Sequence, residues 1–506
     1  MRGDTRDRHD RIRACCNIRA DSFKKRVELT LTPNASELAY ESIAELAPRI
    51  KSGELSPVTL VQTSLERIAR FEPQLNAFLE VWGDSALAAA ELAEKDIAAG
   101  RYLGPLHGIP VGLKDLIDVA GSKTTGGSKV LADNMADSDA TVVTNLKAAG
   151  AILIGKLNLV EFAFGTTGLN PHTGDVKNPW DTTRITAGSS SGSGAAVSAG
   201  MVVAALGSDT GGSIRMPASL CGIAGLKPTY GRVPRAGVLD LSWSMDHVGP
   251  MTRTTEDCAL MMNVLAGHDS ADPGSSHEPV SDFTSKLTEG LDGIRIGVPS
   301  HYFFEDFVDD EIKASVRAAI DLMASNGAEV VELSMPWVGK GRPINFGVIL
   351  PEAVSIHEKM ISEHADLYSP AVRSRVQSGL NVSAIDYVRA QRARQWFNHQ
   401  VAEAMKQVDV LVTPTVPIRT LTIDECTPSP GNPGAGSELP MFTGVFDVTG
   451  QPSHSIPCGF SANGMPIGMM ITGHPFDEAT VLRVGHAYEQ LTDWHQRQPT
   501  DISETN

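Results

Sequence analysis

The sequence is short of cysteine, of basic residues and of long hydrophobic runs. Only six of its 506 residues are cysteine, and none of them stands in a Cys-x-x-Cys pair of the kind that binds metal ions. Sparse and unpatterned cysteine is typical of a reducing compartment, so we expect mainly buried thiols, no metal centre and a cytoplasmic location. No run reaches the roughly 18 apolar residues that a membrane span needs, so no membrane partner is expected.

The deficit of basic residues narrows the classes of partner. The chain has 43 lysine and arginine residues against 60 aspartate and glutamate residues, and its formal net charge is −17 at pH 7. Nucleic acids and anionic membranes bind clusters of basic residues, so neither is expected as the main partner. With 42% hydrophobic and 20% charged residues, the composition is that of a globular protein. The negative net charge does not exclude small neutral or cationic ligands.

The first residues differ from the rest of the chain. Residues 1–33 are rich in arginine, aspartate and lysine, and they lack the continuous apolar segment of a secretory signal. The early aspartates Asp4, Asp7 and Asp10 also argue against a transit peptide. We therefore expect residues 1–36 to be a disordered extension, with regular structure beginning near residue 37.

Beyond that point, helical and strand-like patterns alternate. Ser56 and Pro57 are of the types preferred at the N-cap and first position of a helix, and apolar residues follow at helical spacing. Further helices are predicted at 85–99, 141–149, 254–265 and 310–326, and strands at 106–115, 151–154, 201–206, 294–298, 328–333 and 410–412. The range 336–408 shows mainly helical periodicity. The alternation predicts the α/β fold class.

Two serine-rich turns lie close together in the middle of the chain. The first is Gly188-Ser-Ser-Ser-Gly-Ser-Gly194, and the second is Ser208-Asp-Thr-Gly-Gly-Ser213. Residues 195–200 are small, as in a tightly packed helix, and residues 201–206 form an apolar run bounded by glycines. The two turns are therefore expected to be joined by one short helix and one buried strand.

The first turn fits the Gly-x-Ser-x-Gly pattern of a nucleophile elbow. In an α/β-hydrolase this pattern would make Ser190 the nucleophile. The elbow requires a buried strand directly before it, whereas residues 178–186 are polar and turn-forming. This hypothesis therefore ranks below one that is built on the second turn.

The second turn could hold an activated serine. The backbone amides of Thr210, Gly211, Gly212 and Ser213 could converge on one point and form an oxyanion hole. Such a hole stabilises the negative charge that develops when a serine attacks a carbonyl group. Ser213 is thus a candidate nucleophile, and it needs a base.

Histidine and lysine are the candidates for that base. His107, His172 and His247 qualify by residue type alone, and each is more readily explained as structural or as lining a pocket. Lys114 can serve if it is neutral, which requires burial to lower its pKa from about 10.4 by several units. Its apolar segment, 106–115, would supply that environment.

These residues together resemble the amidase signature family. Lys114, in Val-Gly-Leu-Lys-Asp, matches that family's catalytic lysine, Ser189 matches its bridging serine, and Ser213 matches its nucleophile. The resemblance covers about residues 37 to 490. It implies an amidase signature domain over 37–500, with a large, mostly mixed central sheet sandwiched by helices. It also implies that 336–408 is a helical insertion covering the pocket.

The resemblance further implies a Ser–cis-Ser–Lys triad without a cofactor. Neutral Lys114 would take a proton through Ser189 while Ser213 attacks a carbonyl carbon and forms an acyl-enzyme. The peptide bond before Ser189 would be cis. Ser190 would support the site by hydrogen bonding, and Asp209 and Arg215 would form an ion pair that holds the second turn.

The chain departs from the family pattern at three places. Ser191 occupies a position that is usually glycine, and Asp447 occupies one where asparagine is common. In Gly468-Met-Met470, methionine stands where many members have glutamine. These departures bear on loop geometry and on specificity, and they leave the three triad residues in place.

The expected function is hydrolysis of a small amide. Met441, Phe442, Val445 and Phe446 in a late loop indicate an apolar pocket, which favours aryl or alkyl amides, carbamates or esters. One alternative is the amidase subunit of a glutamyl-tRNA amidotransferase, although the segment 159–165 departs from the pattern usual in that subunit. A non-catalytic binding protein is a third possibility, which the joint presence of the three triad residues disfavours. Because the family often forms dimers, a homodimer is expected.

Overall fold

The backbone of the protein is organised around one large sheet. The computed structural model describes residues 37–429 and 434–499. The strands in these residues are β1 (Phe78–Val81), β2 (Pro110–Lys114), β3 (Ile152–Leu157), β4 (Lys177–Asn178), β5 (Asp181–Ile185), β6 (Ala204–Asp209), β7 (Ala224–Lys227), β8 (His247–Thr252), β9 (Arg295–Pro299), β10 (Glu329–Leu333), β11 (Val410–Pro414), β12 (Ser453–Phe460) and β13 (Pro466–Gly473).

Eleven of these strands form the central sheet, in the order β1-β3-β2-β6-β8-β7-β12-β13-β11-β9-β10, and β4 and β5 pair separately. Strand β2 is parallel to both β3 and β6, and β9 is parallel to both β10 and β11. The remaining neighbours are antiparallel. The predicted α/β class with a large mixed sheet is confirmed.

Helices accompany the sheet along its length. Those in the described residues are α1 (Ile43–Ser52), α2 (Pro57–Leu75), α3 (Gly83–Ala98), α4 (Thr141–Ala148), α5 (Ser191–Ser198), α6 (Arg215–Cys221), α7 (Thr255–Leu265), α8 (Asp310–Ala324), α9 (Gly341–His364), α10 (Pro370–Gly379), α11 (Ala384–Met405), α12 (Ile423–Cys426), α13 (Thr443–Thr449) and α14 (Glu478–Glu489). Ser56 caps α2 as predicted, since its hydroxyl accepts the amide of Val58. No helix of residues 37–429 and 434–499 is long and apolar enough to cross a membrane.

The strand that leads to the second turn lies further along the chain than predicted. The apolar run 201–206 was expected to be the strand, but β6 is Ala204–Asp209. The amide of Met201 instead closes the end of α5 by donating to Ala196 O, so the first residues of the run belong to the connection. All of these residues are buried, and burial alone therefore does not show where the strand begins. As a result, Asp209 is the last residue of β6.

Three helices, α9 to α11, occupy most of the range 336–408 and are tied to the loop before β8. Glu352 of α9 accepts hydrogen bonds from Ser242 Oγ at 2.5 Å, from Ser244 Oγ at 2.7 Å and from Tyr387 OH of α11 at 2.9 Å. An apolar cluster fills the space between α9, α10 and that loop, and it includes Phe162, Leu241, Val348 and Val372. The helices therefore have fixed contacts with the segment that approaches the second turn.

The predicted extension, residues 1–36, lies outside the described residues. From Ala39 onward, the described residues belong to one compact unit. Both serine-rich turns and all the candidate site residues lie within this unit.

Candidate active site

Lys114 is the last residue of β2 and is fully buried. Its Nζ lies 2.7 Å from Ser189 Oγ, 2.9 Å from Ser190 Oγ and 2.8 Å from Ser208 Oγ. Ser208 reaches it because β6 is the parallel neighbour of β2, so both strands end at the same edge of the sheet. The lysine is therefore surrounded by hydroxyl groups.

The environment of Lys114 favours its neutral form. Burial lowers its pKa to about 7, although the negative charges of Asp209 and Asp246 oppose that shift. A hydroxyl can either donate or accept a hydrogen bond. Three hydroxyls therefore satisfy an ammonium group, which donates three bonds, and equally an amine, which donates two and accepts one. The lysine can lose or gain a proton without losing its neighbours.

The segment 187–190 brings Ser189 to the lysine. The peptide bond between Gly188 and Ser189 is cis, and Ala187 has a φ of 59°. The amide of Gly188 donates to Thr166 O at 2.8 Å, and the amide of Ser190 donates to Ser213 O at 3.2 Å. The second of these bonds joins the first serine-rich turn directly to the second.

Ser190 is fully committed to hydrogen bonds within the site. Its Oγ donates to Ser208 O and accepts the amide of Ser208, both at 3.2 Å, in addition to its contact with Lys114. The strand before it, β5, pairs with β4 outside the central sheet. The strand-to-helix context of a nucleophile elbow is thus missing, and the geometry fits a supporting role for Ser190.

The second turn is built around the carboxylate of Asp209. This group accepts the amides of Gly212 at 2.6 Å and of Ile214 at 3.0 Å, and that of Arg215 at 3.4 Å. Ser213 lies between these anchored residues, with 7% of its surface exposed. The carboxylate therefore fixes the backbone that carries Ser213.

One of the four expected oxyanion donors is used elsewhere. The amide of Gly212 was predicted to point toward an oxyanion, but it donates to Asp209 Oδ1. Gly212 has a φ of 129°, and a Cβ there would lie 2.1 Å from Thr443 Oγ1, so only glycine fits. The amides of Thr210, Gly211 and Ser213 are the ones that remain for the proposed hole.

Asp209 also forms a buried ion pair with Arg215. Arg215 Nε donates to Asp209 Oδ2 at 3.0 Å, and Nη2 donates to Oδ1 at 2.9 Å. Both side chains have no exposed surface. Burial alone would raise the pKa of Asp209, but Arg215 reverses this effect and holds the pKa well below its usual range. The carboxylate that anchors the turn is therefore ionised.

Replacing Arg215 with methionine is expected to lower the free energy of unfolding by about 3–5 kcal/mol, because it leaves the Asp209 charge buried without its partner. Urea denaturation followed by circular dichroism would measure the loss. Arg389→Met is the matched control, since Arg389 pairs with Asp386 at the surface with 73% of its side chain exposed. An exposed pair contributes at most about 1 kcal/mol. Equal losses in the two variants would contradict this role for Arg215.

The three histidines considered as bases have other partners. His172 Nε2 lies 3.1 Å from Glu161 Oε1, and His107 Nδ1 accepts the amide of Leu103. His247 Nδ1 lies 3.1 Å from Asp209 O. Lys114, and none of these histidines, is the titratable side chain that the structure brings to Ser189.

Two residues near the second turn were not identified from the sequence. Asn345 of α9 donates from Nδ2 to Thr210 O at 3.2 Å, and Thr443 Oγ1 donates to Gly211 O at 2.7 Å. Both lie far along the chain from the turn, and no local motif marks them. They bind the carbonyl groups of two residues whose amides are expected oxyanion donors.

The apolar residues near 442–446 do not line a pocket, in contrast to the prediction from the sequence. Phe442, Val445 and Phe446 were expected to line an apolar pocket, but none of them has exposed surface. The ring centroid of Phe303 lies 4.9 Å from that of Phe442 and 6.1 Å from that of Phe446. These aromatic rings therefore pack on one another in the core.

No group of three or more His, Cys, Asp or Glu side chains able to hold a metal ion occurs in residues 37–429 and 434–499. The candidate site offers hydroxyls, an amine and backbone amides.

Comparison with known proteins places this chain among amidases. The family model described as Amidase matches residues 59–482. An amidase of Pseudomonas putida is 44% identical over 469 residues, covering 92% of this chain and 98% of the relative. A glutamyl-tRNA(Gln) amidotransferase subunit of Chloroflexus aggregans is 41% identical over 488 residues, covering 92% of this chain and 99% of the relative. The structure of a bacterial aryl acylamidase of the amidase signature family has a TM-score of 0.83 at 28% identity, covering 91% of this chain and 98% of that one.

Proposed function

The chain belongs to the amidase signature family and is a hydrolase of carbon–nitrogen bonds, and we propose that Ser213, Ser189 and Lys114 carry out its reaction. The observation that carries the proposal is the 2.7 Å contact between Lys114 Nζ and Ser189 Oγ in a buried site. A base must lie within hydrogen-bond reach of the proton that it accepts, and its pKa must lie near the working pH. Lys114, with a pKa of about 7, meets both conditions.

The first half of the reaction acylates Ser213. Its Oγ attacks the carbonyl carbon of the amide while its proton passes to Ser189 Oγ, and the proton of Ser189 passes to the neutral amine of Lys114. The amides of Thr210, Gly211 and Ser213 donate to the oxygen as it becomes negative. When the tetrahedral intermediate collapses, the proton returns along the same relay to the leaving nitrogen, and the amine departs.

The second half releases the acid. A water molecule loses its proton through the same relay and attacks the acyl carbon, and Ser213 leaves as the proton returns to its Oγ. Asp209 and Arg215 take no part in these proton transfers. They hold the turn on which Ser213 and the donor amides lie, since Asp209 binds the backbone on both sides of Ser213.

The substrate proposed is a small amide with an apolar acyl or aryl group. A small cavity next to Ser208 and Thr210 is lined by apolar residues that include Leu116, Ala163 and Leu241. The aryl acylamidase among the similar structures also favours an aryl amide. Carbamates and esters would react with Ser213 through the same kind of covalent intermediate, so the proposed substrates include them.

The second candidate is the amidase subunit of a glutamyl-tRNA amidotransferase. The 41% identity to a subunit of such an enzyme, over nearly the whole chain, favours it. In that role, the same triad would release ammonia from glutamine within a complex. The non-catalytic alternative is not retained, because the family is shown to be one of hydrolases. A cytoplasmic location stays part of the proposal, and the four cysteines of the described residues are free and buried.

A direct assay separates the two candidates. The purified chain is incubated with an acyl anilide, an aliphatic primary amide or glutamine, and the release of amine or ammonia is followed. Ser213→Ala is the control for each substrate. We expect the anilide to be the best substrate and glutamine the poorest. Turnover of glutamine alone would favour the amidotransferase role, and turnover of none of the three would contradict the proposed substrate class.

A further inference from the structure

A second carboxyl group lies beside Asp209 in the interior. Asp447, on α13, has no exposed surface, like Asp209 and Arg215. Arg215 Nη2 donates to both carboxyl groups, at 2.9 Å to Asp209 Oδ1 and at 2.6 Å to Asp447 Oδ2. The two carboxyl groups therefore meet at one nitrogen of Arg215. When two carboxyl groups share a buried site, like charges disfavour ionisation of both.

Asp209 and Asp447 differ in the number of donors that they receive. Asp209 accepts three backbone amides and two N–H groups of Arg215. Asp447 receives Arg215 Nη2 at one oxygen, and no donor of residues 37–429 or 434–499 reaches its Oδ1. A buried carboxylate requires such donors to offset its lost hydration. The negative charge therefore belongs on Asp209.

We propose that Asp447 is held as a neutral carboxylic acid that donates its proton to Asp209, and that it thereby acts as a positioning residue for the turn of Ser213. A carboxylic acid has the shape of an asparagine side chain, and each donates at one end and accepts at the other. Asp447 thus accepts from Arg215 and donates to Asp209. The Asp209 carboxylate keeps the orientation in which it binds the turn.

The direction of the pKa shifts agrees with this assignment. Burial and the neighbouring charge of Asp209 raise the pKa of Asp447 well above its ordinary range, against the opposing effects of Arg215 and Lys227. The pKa of Asp209 is shifted in the other direction. One proton thus belongs to the pair, and it lies on Asp447.

The other charged or titratable groups around Asp447 are satisfied elsewhere. Lys227 of β7 donates to Pro228 O and Gln451 O and lies 3.3 Å from His247 Nε2. His247 of β8 lies 3.7 Å from Asp447 Oδ1, and burial lowers its pKa well below the usual value, so it is neutral.

Two further side chains complete the surroundings. Arg394 of α11 donates to Val448 O and to Ser244. From β13, Met470 contributes an uncharged sulfur 3.4 Å from Arg215 Nη1. None of these groups supplies the missing donor to Asp447 Oδ1.

Thermal unfolding of Asp447→Asn tests the protonation state, because the two possible states predict opposite signs. An ordinary aspartate has a pKa of about 3.9. If Asp447 keeps its proton in the folded protein, the wild type loses stability as pH rises above that value. Asp447→Asn then has a higher melting temperature than the wild type, and the difference between the two melting temperatures increases from pH 5 to pH 8. If Asp447 is instead an ionised partner of Arg215, Asp447→Asn melts below the wild type throughout, and the proposal is overturned.

Infrared spectroscopy gives a second test, which compares the wild type with Asp447→Asn. Asp257 and Glu489 are buried and Glu72 is half-buried, and burial raises the pKa of Glu72 to about 7, that of Asp257 to about 7 and that of Glu489 to about 8. These three groups contribute equally to the spectra of the wild type and of Asp447→Asn, so a comparison of the two proteins at pH 7 isolates Asp447. We expect the wild type to show, at pH 7, a carbonyl band of a protonated carboxylic acid that Asp447→Asn lacks. The absence of such a band from the wild type would overturn the proposal.

The consequence for catalysis rests on the proposed role of Ser213. Asp447→Leu has a similar volume but no proton to donate, and it is expected to lower kcat/KM by about 10- to 100-fold, as the loss of an orienting partner does. Asp447→Asn should recover most of that loss. Equal losses in Asn and Leu would contradict the positioning role. Melting and infrared measurements need no substrate and can be repeated in Ser213→Ala, so their outcome does not depend on the proposed function.

Discussion

Lys114→Met is expected to lower kcat/KM for an aryl amide by about 10³-fold, the size of effect found when a general base is removed. Methionine has nearly the length of lysine, but it cannot accept a proton from Ser189. Three hydroxyl groups would lose their common partner as well. Steady-state kinetics at several pH values would measure the loss.

The pH dependence of the wild type follows from the same residue. The active form is the neutral amine, and burial lowers the pKa of Lys114 to about 7. Below this pH the lysine is protonated and cannot accept the proton of Ser189. We therefore expect kcat/KM to rise as pH increases through about 7 and then to level off. The residual activity of Lys114→Met should lack this rise.

Lys114→Arg is the matched control for a purely electrostatic role. Arginine keeps the positive charge and the hydrogen-bond donors, but it stays protonated in proteins. If Lys114 is the base, Lys114→Arg is as impaired as Lys114→Met. Substantial activity in the arginine variant would contradict the assignment, since a fixed positive charge would then suffice.

Ser213→Ala is expected to have the largest effect of any single substitution. Loss of the nucleophile of a serine hydrolase lowers kcat by a factor on the order of 10⁶. Alanine removes the oxygen that forms the acyl-enzyme but leaves the backbone amides and the Asp209 anchors in place. The variant should therefore fold and still bind substrate. Single-turnover assays at high enzyme concentration would measure the residual rate.

Ser190→Ala provides the control for this second prediction. Ser190 Oγ contacts Lys114 and Ser208, and its removal would disturb the site without removing the nucleophile. We expect a smaller loss, of about 10- to 100-fold, for this variant. A loss in Ser190→Ala that equals or exceeds that of Ser213→Ala would return the nucleophile role to Ser190.

Lys114 and Ser213 could be found from the sequence because each lies in a short local pattern, whereas Ser189 followed only from the resemblance to the amidase signature family. Lys114 is set in an apolar strand, and Ser213 follows glycines in a compact turn. A buried lysine and a glycine-lined serine are chemically unusual, and a single sequence can display both. The mixed sheet followed from the same resemblance.

Other features of the site depend on contacts that a local pattern does not show. The direction of the Gly212 amide is set by Asp209 and by the close approach of Thr443, which is remote in the chain. The contact between Asn345 of α9 and Thr210 likewise joins residues that are remote in the chain. The aromatic residues Phe442 and Phe446 suggested a pocket, but an apolar side chain satisfies a core position equally well. In each case, tertiary packing decides the outcome.

Covalent labelling shows whether Ser213 is an activated nucleophile. The wild type, Ser213→Ala and Ser190→Ala would each be incubated with a fluorophosphonate, and their intact masses would be recorded. We expect one adduct on the wild type and one on Ser190→Ala, and none on Ser213→Ala. An adduct that persists on Ser213→Ala, or a wild type that takes no label, would contradict the role of Ser213 as the nucleophile.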